Sequence, residues 1–194
     1  MKRRKRSTTR KVVSMSVLDA SSRLLDEVGP GQLVAISGLA NSGKTSLART
    51  LAADLVERGY RVGVVSVQPW DTDRSGRNIE YGDVPHQALS AGEERTESTT
   101  AVVYDYSNSR VGDEVAQWVS TDLADGRVVV LVSLPHSLFE TADIRVVVGR
   151  PTRRVFVEVF GVEAPSDGVP SPLRGTAWVA ARGGRPILIS YRPT

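Results

Sequence analysis

Apolar and polar positions along the chain switch between two periods. Residues 33–37 (LVAIS), 61–67 (RVGVVSV), 100–105 (TAVVYD), 127–134 (RVVVLVSL) and 144–149 (IRVVVG) form short, nearly unbroken apolar runs. Runs of that length and β-branched content are the pattern of strands buried on both faces of a parallel sheet. Between the first two, the stretch 46–60 (SLARTLAADLVERGY) places Leu47, Leu51, Leu55 and Val56 on one helical face, with Gly59 set to end the helix. A further helix is expected around 115–119 (VAQWV), with Asp113 or Thr121 as boundary residues. Val17, Leu18, Leu24, Leu25 and Val28 predict an amphipathic helix over 16–28, stopped by Gly29-Pro30-Gly31.

Towards the C-terminus, 155–160 (VFVEVF) alternates as a half-buried strand does. Residues 161–175, rich in Gly and Pro, read as a loop. Strands at 176–181 and 186–191 follow, joined by a hairpin turn at Arg182-Gly183-Gly184. Strands alternating with helices predict an α/β fold: a mainly parallel, doubly wound sheet with helices on both faces and a small C-terminal β extension. The expected division is a disordered basic tail (1–13), a helix and linker (14–30), a core (31–150) and the β extension (151–194).

Charge alters the picture at one end only. The 194 residues carry 25 Lys+Arg against 22 Asp+Glu, but residues 1–11 (MKRRKRSTTRK) hold seven of the basic groups and no acid. The other 183 residues therefore have 18 basic and 22 acidic groups, a mildly acidic body. A folded basic face for nucleic acid is not indicated. The tail, which should be disordered, suits non-specific contact with nucleic acid or an anionic membrane surface. The chain has no cysteine and two histidines fifty residues apart, which argues against thiolate chemistry and a histidine zinc site. No apolar run approaches the ~20 residues of a membrane helix. The basic tail is not followed by a signal-length apolar stretch, so a cytoplasmic location is expected, with peripheral attachment at the inner membrane face an option.

The chemistry is concentrated at 38–45 (GLANSGKT), which satisfies G-x-x-x-x-G-K-[ST] at every fixed position, between an apolar strand and a helix. Gly38 and Gly43 admit backbone conformations that turn successive N–H groups inward on a phosphate. Asn41, Ser42 and Ser46 complete the candidate cradle with Gly38 and Gly43. The helix N-terminus adds partial positive charge. Lys44 is placed to reach the β- and γ-phosphates of ATP, and Thr45 to give its hydroxyl to Mg²⁺. Lys44 is the only lysine in residues 12–194; the other 17 cationic residues there are arginine. The one slim ammonium of the body thus stands where a phosphate loop requires it. This is the pattern of a nucleotide-binding P-loop.

Asp105 closes the apolar run 100–105, as the Mg²⁺-facing Walker B acid does. The extra strand 61–67 between the Walker A and Walker B strands fits the RecA-like additional-strand class of P-loop NTPase. Kinases share that sequence order. From about Gln32 to Glu163 the chain resembles the ATPases of type II and type IV secretion and of type IV pili. The residues that carry the resemblance are VVSVQPW…NIEYGDVPHQAL (64–89), AVVYDYSN (101–108), VLVSLPHS (130–137) and RRVFVEVFGVE (153–163), the last being similar to that family's arginine-rich strand. The resemblance implies ATP hydrolysis with Mg²⁺ in a homo-oligomeric ring, driving a conformational or translocation step. It makes Asp105 the counterpart of the Walker B glutamate and His136 that of the histidine-box residue. Three positions depart from the family: Gln68 stands where its acidic box has Glu, and Ser107 and Asn108 replace Arg and Asp after Walker B.

For the acid that orients water, Asp105 comes first and Glu80 second, with Asp71 and Asp73 as further acids in the box. His136 is placed to sense the γ-phosphate, and Gln68 to orient water without acting as a base. Arg110, Arg150, Arg153 and Arg154 are the finger candidates, each also explicable as solvated surface charge. Two other function classes fit. The stretch 47–74 is similar to the start of uridine-kinase-like phosphotransferases, with Asp71 or Asp73 activating an acceptor hydroxyl. A RecA-like nucleotide-dependent DNA-associated module with weak turnover is the third.

Overall fold

The computed structural model describes residues 13–14, 26, 28–66, 99–107, 109–164 and 176–190. Its elements in chain order are β1 (Val13–Ser14), β2 (Leu33–Gly38), α1 (Lys44–Glu57), β3 (Val62–Ser66), β4 (Ala101–Asp105), α2 (Asp113–Ala124), β5 (Val128–Val132), α3 (Leu138–Thr141), β6 (Ile144–Val148), α4 (Arg153–Phe160), β7 (Thr176–Ala181) and β8 (Ile187–Ser190). Nearly all of the basic tail, most of the expected 16–28 helix, and Gln68, Trp70, Asp71, Asp73, Glu80 and Asn108 lie outside the described residues. So do 90–98 and 165–175.

The strands form one sheet in the order β1-β8-β7-β6-β2-β5-β4-β3. From β6 to β3 every pairing is parallel. The apolar runs explain this, because strands covered on both faces need no polar alternation. Val34, Ile36, Val64, Val103, Val130 and Val146 pack on the face that carries Leu47, Leu51 and Leu55 of α1. Leu33, Ala35, Val102, Tyr104, Val129 and Leu131 pack on the other, with Val119 of α2, Phe139 of α3 and Phe156 of α4. Helices thus cover both faces, as the doubly wound reading requires. The C-terminal hairpin does not form a layer of its own. β7 runs antiparallel to β6, and β8 antiparallel to β7, so the hairpin widens the main sheet beyond β6.

Both long helices end through the same device. Behind α1, Gly59 N–H donates to Val56 O at 2.9 Å and Tyr60 N–H to Leu55 O at 3.0 Å. Behind α2, Gly126 N–H donates to Leu123 O at 3.1 Å and Arg127 N–H to Asp122 O at 2.9 Å. Both are Schellman closures, which deliver the chain directly into the next strand.

One expected element has the wrong period. Residues 155–160 were read from alternation as a strand, yet 153–160 is the helix α4. Phe156, Val159 and Phe160, spaced three and four apart, form its buried stripe, and Phe156 meets Trp178 edge-on at 5.2 Å between ring centroids. The end signals decide between the periods. Thr152 Oγ1 caps the helix by accepting from Val155 N–H at 3.2 Å, and Gly161 closes it at φ 67°. The secretion-ATPase strand expected at 153–163 is therefore absent here.

Candidate functional site

The parallel strands all point their C-terminal ends to one edge, where ligands of doubly wound sheets gather. At that edge β2 runs into the loop 38–43 and then α1. Gly38 (φ 151°), Asn41 (φ 60°) and Gly43 (φ 97°) turn the backbone inward. Gly43 is the N-cap of α1 and makes no side-chain cap hydrogen bond, nor does an acidic residue stand in the first turn. The first-turn N–H groups are therefore left to an anion. Asn41 and Ser46 are exposed, and Ser42 and Thr45 half-buried, around this point.

Lys44 is 3% exposed. Its Nζ donates to Leu39 O at 2.7 Å and Gly38 O at 3.1 Å. Burial holds its pKa below the usual lysine value, and the charge of Asp105 partly opposes that fall. A desolvated ammonium whose hydrogen bonds, among the described residues, go to neutral carbonyls is primed for a phosphate.

The floor of the loop is backbone. A Cβ on Gly38 would lie 2.5 Å from Val148 O and 2.7 Å from Ser42 Oγ, and one on Gly149 would lie 3.1 Å from Ser42 Cβ. Gly38→Ala is expected to cost about 1–3 kcal/mol of stability through strain and to displace the loop from its phosphate geometry. Denaturant unfolding and nucleotide titration check this together; unchanged nucleotide affinity contradicts it. Gly149, just past the end of β6, carries no local mark in the sequence of its approach to Ser42.

Asp105 is 5% exposed at the end of β4. Its strand does not adjoin β2, since β5 lies between them. Val132 of β5 is in register with Ile36 of β2 and with Asp105 of β4. The acid is thus two strand spacings, or about 10 Å, across the sheet from the phosphate-loop strand. Ser107 bridges that gap. Its hydroxyl and its N–H both donate to Asp105 Oδ1, the latter at 3.1 Å. Its Oγ lies 2.7 Å from Thr45 Oγ1. In the sequence alone Ser107 stands out only as a departure from a family pattern. The available signal was local: Asp-x-Ser is a side-chain turn in which the carboxylate captures the N–H two residues on.

His136 follows β5 and is half-buried. Its Nδ1 lies 3.4 Å from Leu138 N–H and 3.3 Å from Ser137 Oγ, at the start of α3. Leu134 N–H donates to Ser109 O at 3.0 Å, tying this loop to the one after Asp105. Among the finger candidates, Arg154 pairs with Glu158 at 2.7 Å and Arg153 reaches Glu163 at 3.6 Å, all near the surface. Among the described residues no group of three or more His, Cys, Asp or Glu is arranged to hold a metal. No helix among them is long and apolar enough to cross a membrane.

Solved structures share this fold. The genome-packaging NTPase of Sulfolobus turreted icosahedral virus 2, solved with ATP-gammaS, superposes with a TM-score of 0.59 at 12% identity, over 86% of this chain and 100% of its own. The DNA-packaging ATPase of Sulfolobus turreted icosahedral virus gives 0.56, with the same identity and coverage. The fold is that of a P-loop NTPase. Within that fold, a family model described as methylmalonyl Co-A mutase-associated GTPase MeaB matches residues 5–84, under half of the chain. The match takes in the phosphate loop and β3 and stops short of Asp105. Curated proteins offer no match by sequence. These comparisons support a nucleotide-binding P-loop NTPase and do not single out the secretion and pilus ATPases.

Proposed function

We propose that the chain binds ATP with Mg²⁺ and hydrolyses it to drive a conformational or translocation step, as a minimal core of the secretion- and pilus-ATPase type acting as a homo-oligomer. The observation that carries this reading is the chain of oxygens Thr45–Ser107–Asp105, which connects the phosphate loop to the acid across β5. The Thr45 hydroxyl and the Asp105 carboxylate are hard oxygen donors, and with uncapped N–H groups beside them they fit a magnesium nucleotide. When bound, the ion would neutralise charge developing on the phosphates. Lys44 binds the same phosphates, Thr45 and Asp105 hold the cation, and the loop N–H groups orient the nucleotide. Asp105 is the first candidate for orienting the attacking water and Glu80 the second, with Gln68 able to orient water without acting as a base and His136 placed to sense the γ-phosphate.

The basic tail would contact nucleic acid or an anionic membrane surface, with the protein in the cytoplasm and peripheral to the inner membrane face in the second case. GTP is the second reading for the nucleotide, supported by the MeaB match over residues 5–84. Turnover of ATP and GTP should be measured with native mass, with and without nucleotide, for wild type and Lys44→Ala. Turnover of ATP that rises on self-assembly and disappears in Lys44→Ala is the expected result. Preference for GTP would replace the nucleotide. Transfer of phosphate to a nucleoside would replace hydrolysis with a kinase reaction, and a strict monomer with unaffected turnover would end the motor reading.

A further inference from the structure

Ser107 stands at the junction of the two groups that the proposed function assigns to the metal. Its hydroxyl donates to Asp105 Oδ1, its N–H donates to the same oxygen at 3.1 Å, and its Oγ is 2.7 Å from Thr45 Oγ1. An ionised carboxylate only accepts, and a serine hydroxyl has one proton. With that proton committed to Asp105, the contact with Thr45 has to be a donation from Thr45 to Ser107. The sequence of bonds therefore has a direction, from Thr45 through Ser107 to Asp105. Thr45 gives up its proton to a neighbour and keeps its lone pairs for a cation, and the negative charge of Asp105 is felt at Thr45 through one intervening hydroxyl.

We infer that Ser107 is a positioning residue of the metal site: it fixes the Thr45 hydroxyl with its lone pairs turned to the cation and holds Asp105 beside it. Groups in this supporting role usually contribute one to two orders of magnitude in metal affinity. Two observations favour support over direct ligation. The Ser107 hydroxyl spends its proton on the carboxylate and one of its two lone pairs on Thr45, and its N–H pins it to the same carboxylate oxygen, whereas Thr45 keeps both lone pairs for a cation. A bridge made of one short side chain also explains how Thr45 and Asp105 communicate although β5 separates their strands.

The inference rests on the reading of the site as a magnesium-nucleotide site, and the test keeps the two apart. Binding of a fluorescent ATP analogue is titrated with Mg²⁺, and bound Mn²⁺ is followed by electron paramagnetic resonance. Wild type, Ser107→Ala, Ser107→Thr and Ser107→Cys are compared. Ser107→Ala is expected to raise the half-saturating Mg²⁺ concentration by about 10–100-fold while affinity for the metal-free nucleotide is unchanged, which also certifies the fold. Ser107→Thr, which keeps the hydroxyl, should restore the wild-type midpoint. A wild-type midpoint in Ser107→Ala, against a metal-dependent wild type, overturns the inference and leaves the magnesium reading standing. Absence of any metal dependence in wild type removes both. A gain of Cd²⁺ preference in Ser107→Cys overturns it in favour of direct ligation.

Discussion

Lys44→Met lowers nucleotide turnover by about 10²–10³-fold, the scale of removing one charged donor from a preorganised anion site. The same substitution leaves the nucleotide-free protein at least as stable as wild type. Among the described residues the buried wild-type ammonium hydrogen-bonds to the carbonyls of Gly38 and Leu39, and methionine fills its length without a charge to desolvate. The lowered pKa of Lys44 gives this a pH signature. Between the folded value and the ordinary 10.5, the unfolded chain holds the lysine proton and the folded chain has lost it. Stability from this group therefore rises with pH through that interval. Nucleotide binding runs the other way, because phosphates favour the charged amine and affinity falls as pH climbs through the folded pKa. Thermal unfolding from neutral pH upward, with and without nucleotide, should show two opposed slopes in wild type, both absent in Lys44→Met. Parallel slopes in the two proteins, or a marked loss of stability in the variant, would contradict the assignment.

Asp122→Ala should give the largest loss of stability outside the site. Asp122 is fully buried on α2, where its Oδ2 accepts from Tyr104 Oη at 2.6 Å and its Oδ1 from Arg127 Nη1 at 2.8 Å. Arg127 Nε also donates to Thr99 O at 3.1 Å, just ahead of β4. Deleting the carboxylate takes an acceptor from a buried phenol and the buried one of two counter-charges from a mostly buried guanidinium, which keeps only the exposed Asp125 at 2.7 Å among the described residues. Breaking one partner of such a group costs about 3–5 kcal/mol, or roughly 6–20 °C in melting temperature for a chain of this size. Asp122→Asn, which keeps an acceptor, should lose less. A cost below 1 kcal/mol in urea unfolding would show that the network is dispensable.

The parallel core was legible because each of its strands is an apolar run too short for a helix and bounded by turn residues. The phosphate loop was legible for a different reason: its chemistry lies in eight consecutive residues. Failures arose where a decision needed information from elsewhere in the chain. In 153–160 the positions satisfy both periods, and only the Thr152 cap and Gly161 closure break the tie. Ser107 meets Thr45 across 62 residues of sequence, a contact fixed by strand order and invisible in either segment alone. Gly149 belongs to the same class, since its need for a hydrogen side chain arises from Ser42 on another element.

The main-chain floor beneath the phosphate loop has a mechanical consequence. Because Val148 O lies against Gly38 and Gly149 against the Cβ of Ser42, an atom that χ rotation does not move, no rotamer change can absorb a relative movement of the two segments. The loop and the end of β6 travel as one body. β6 also bears the C-terminal hairpin through the register Ile144↔Ala181 to Val148↔Ala177. A load applied to β8 would therefore reach the phosphate loop through β7 and β6, and an adjustment of the loop to a ligand would be returned along the same line as a tilt of the hairpin.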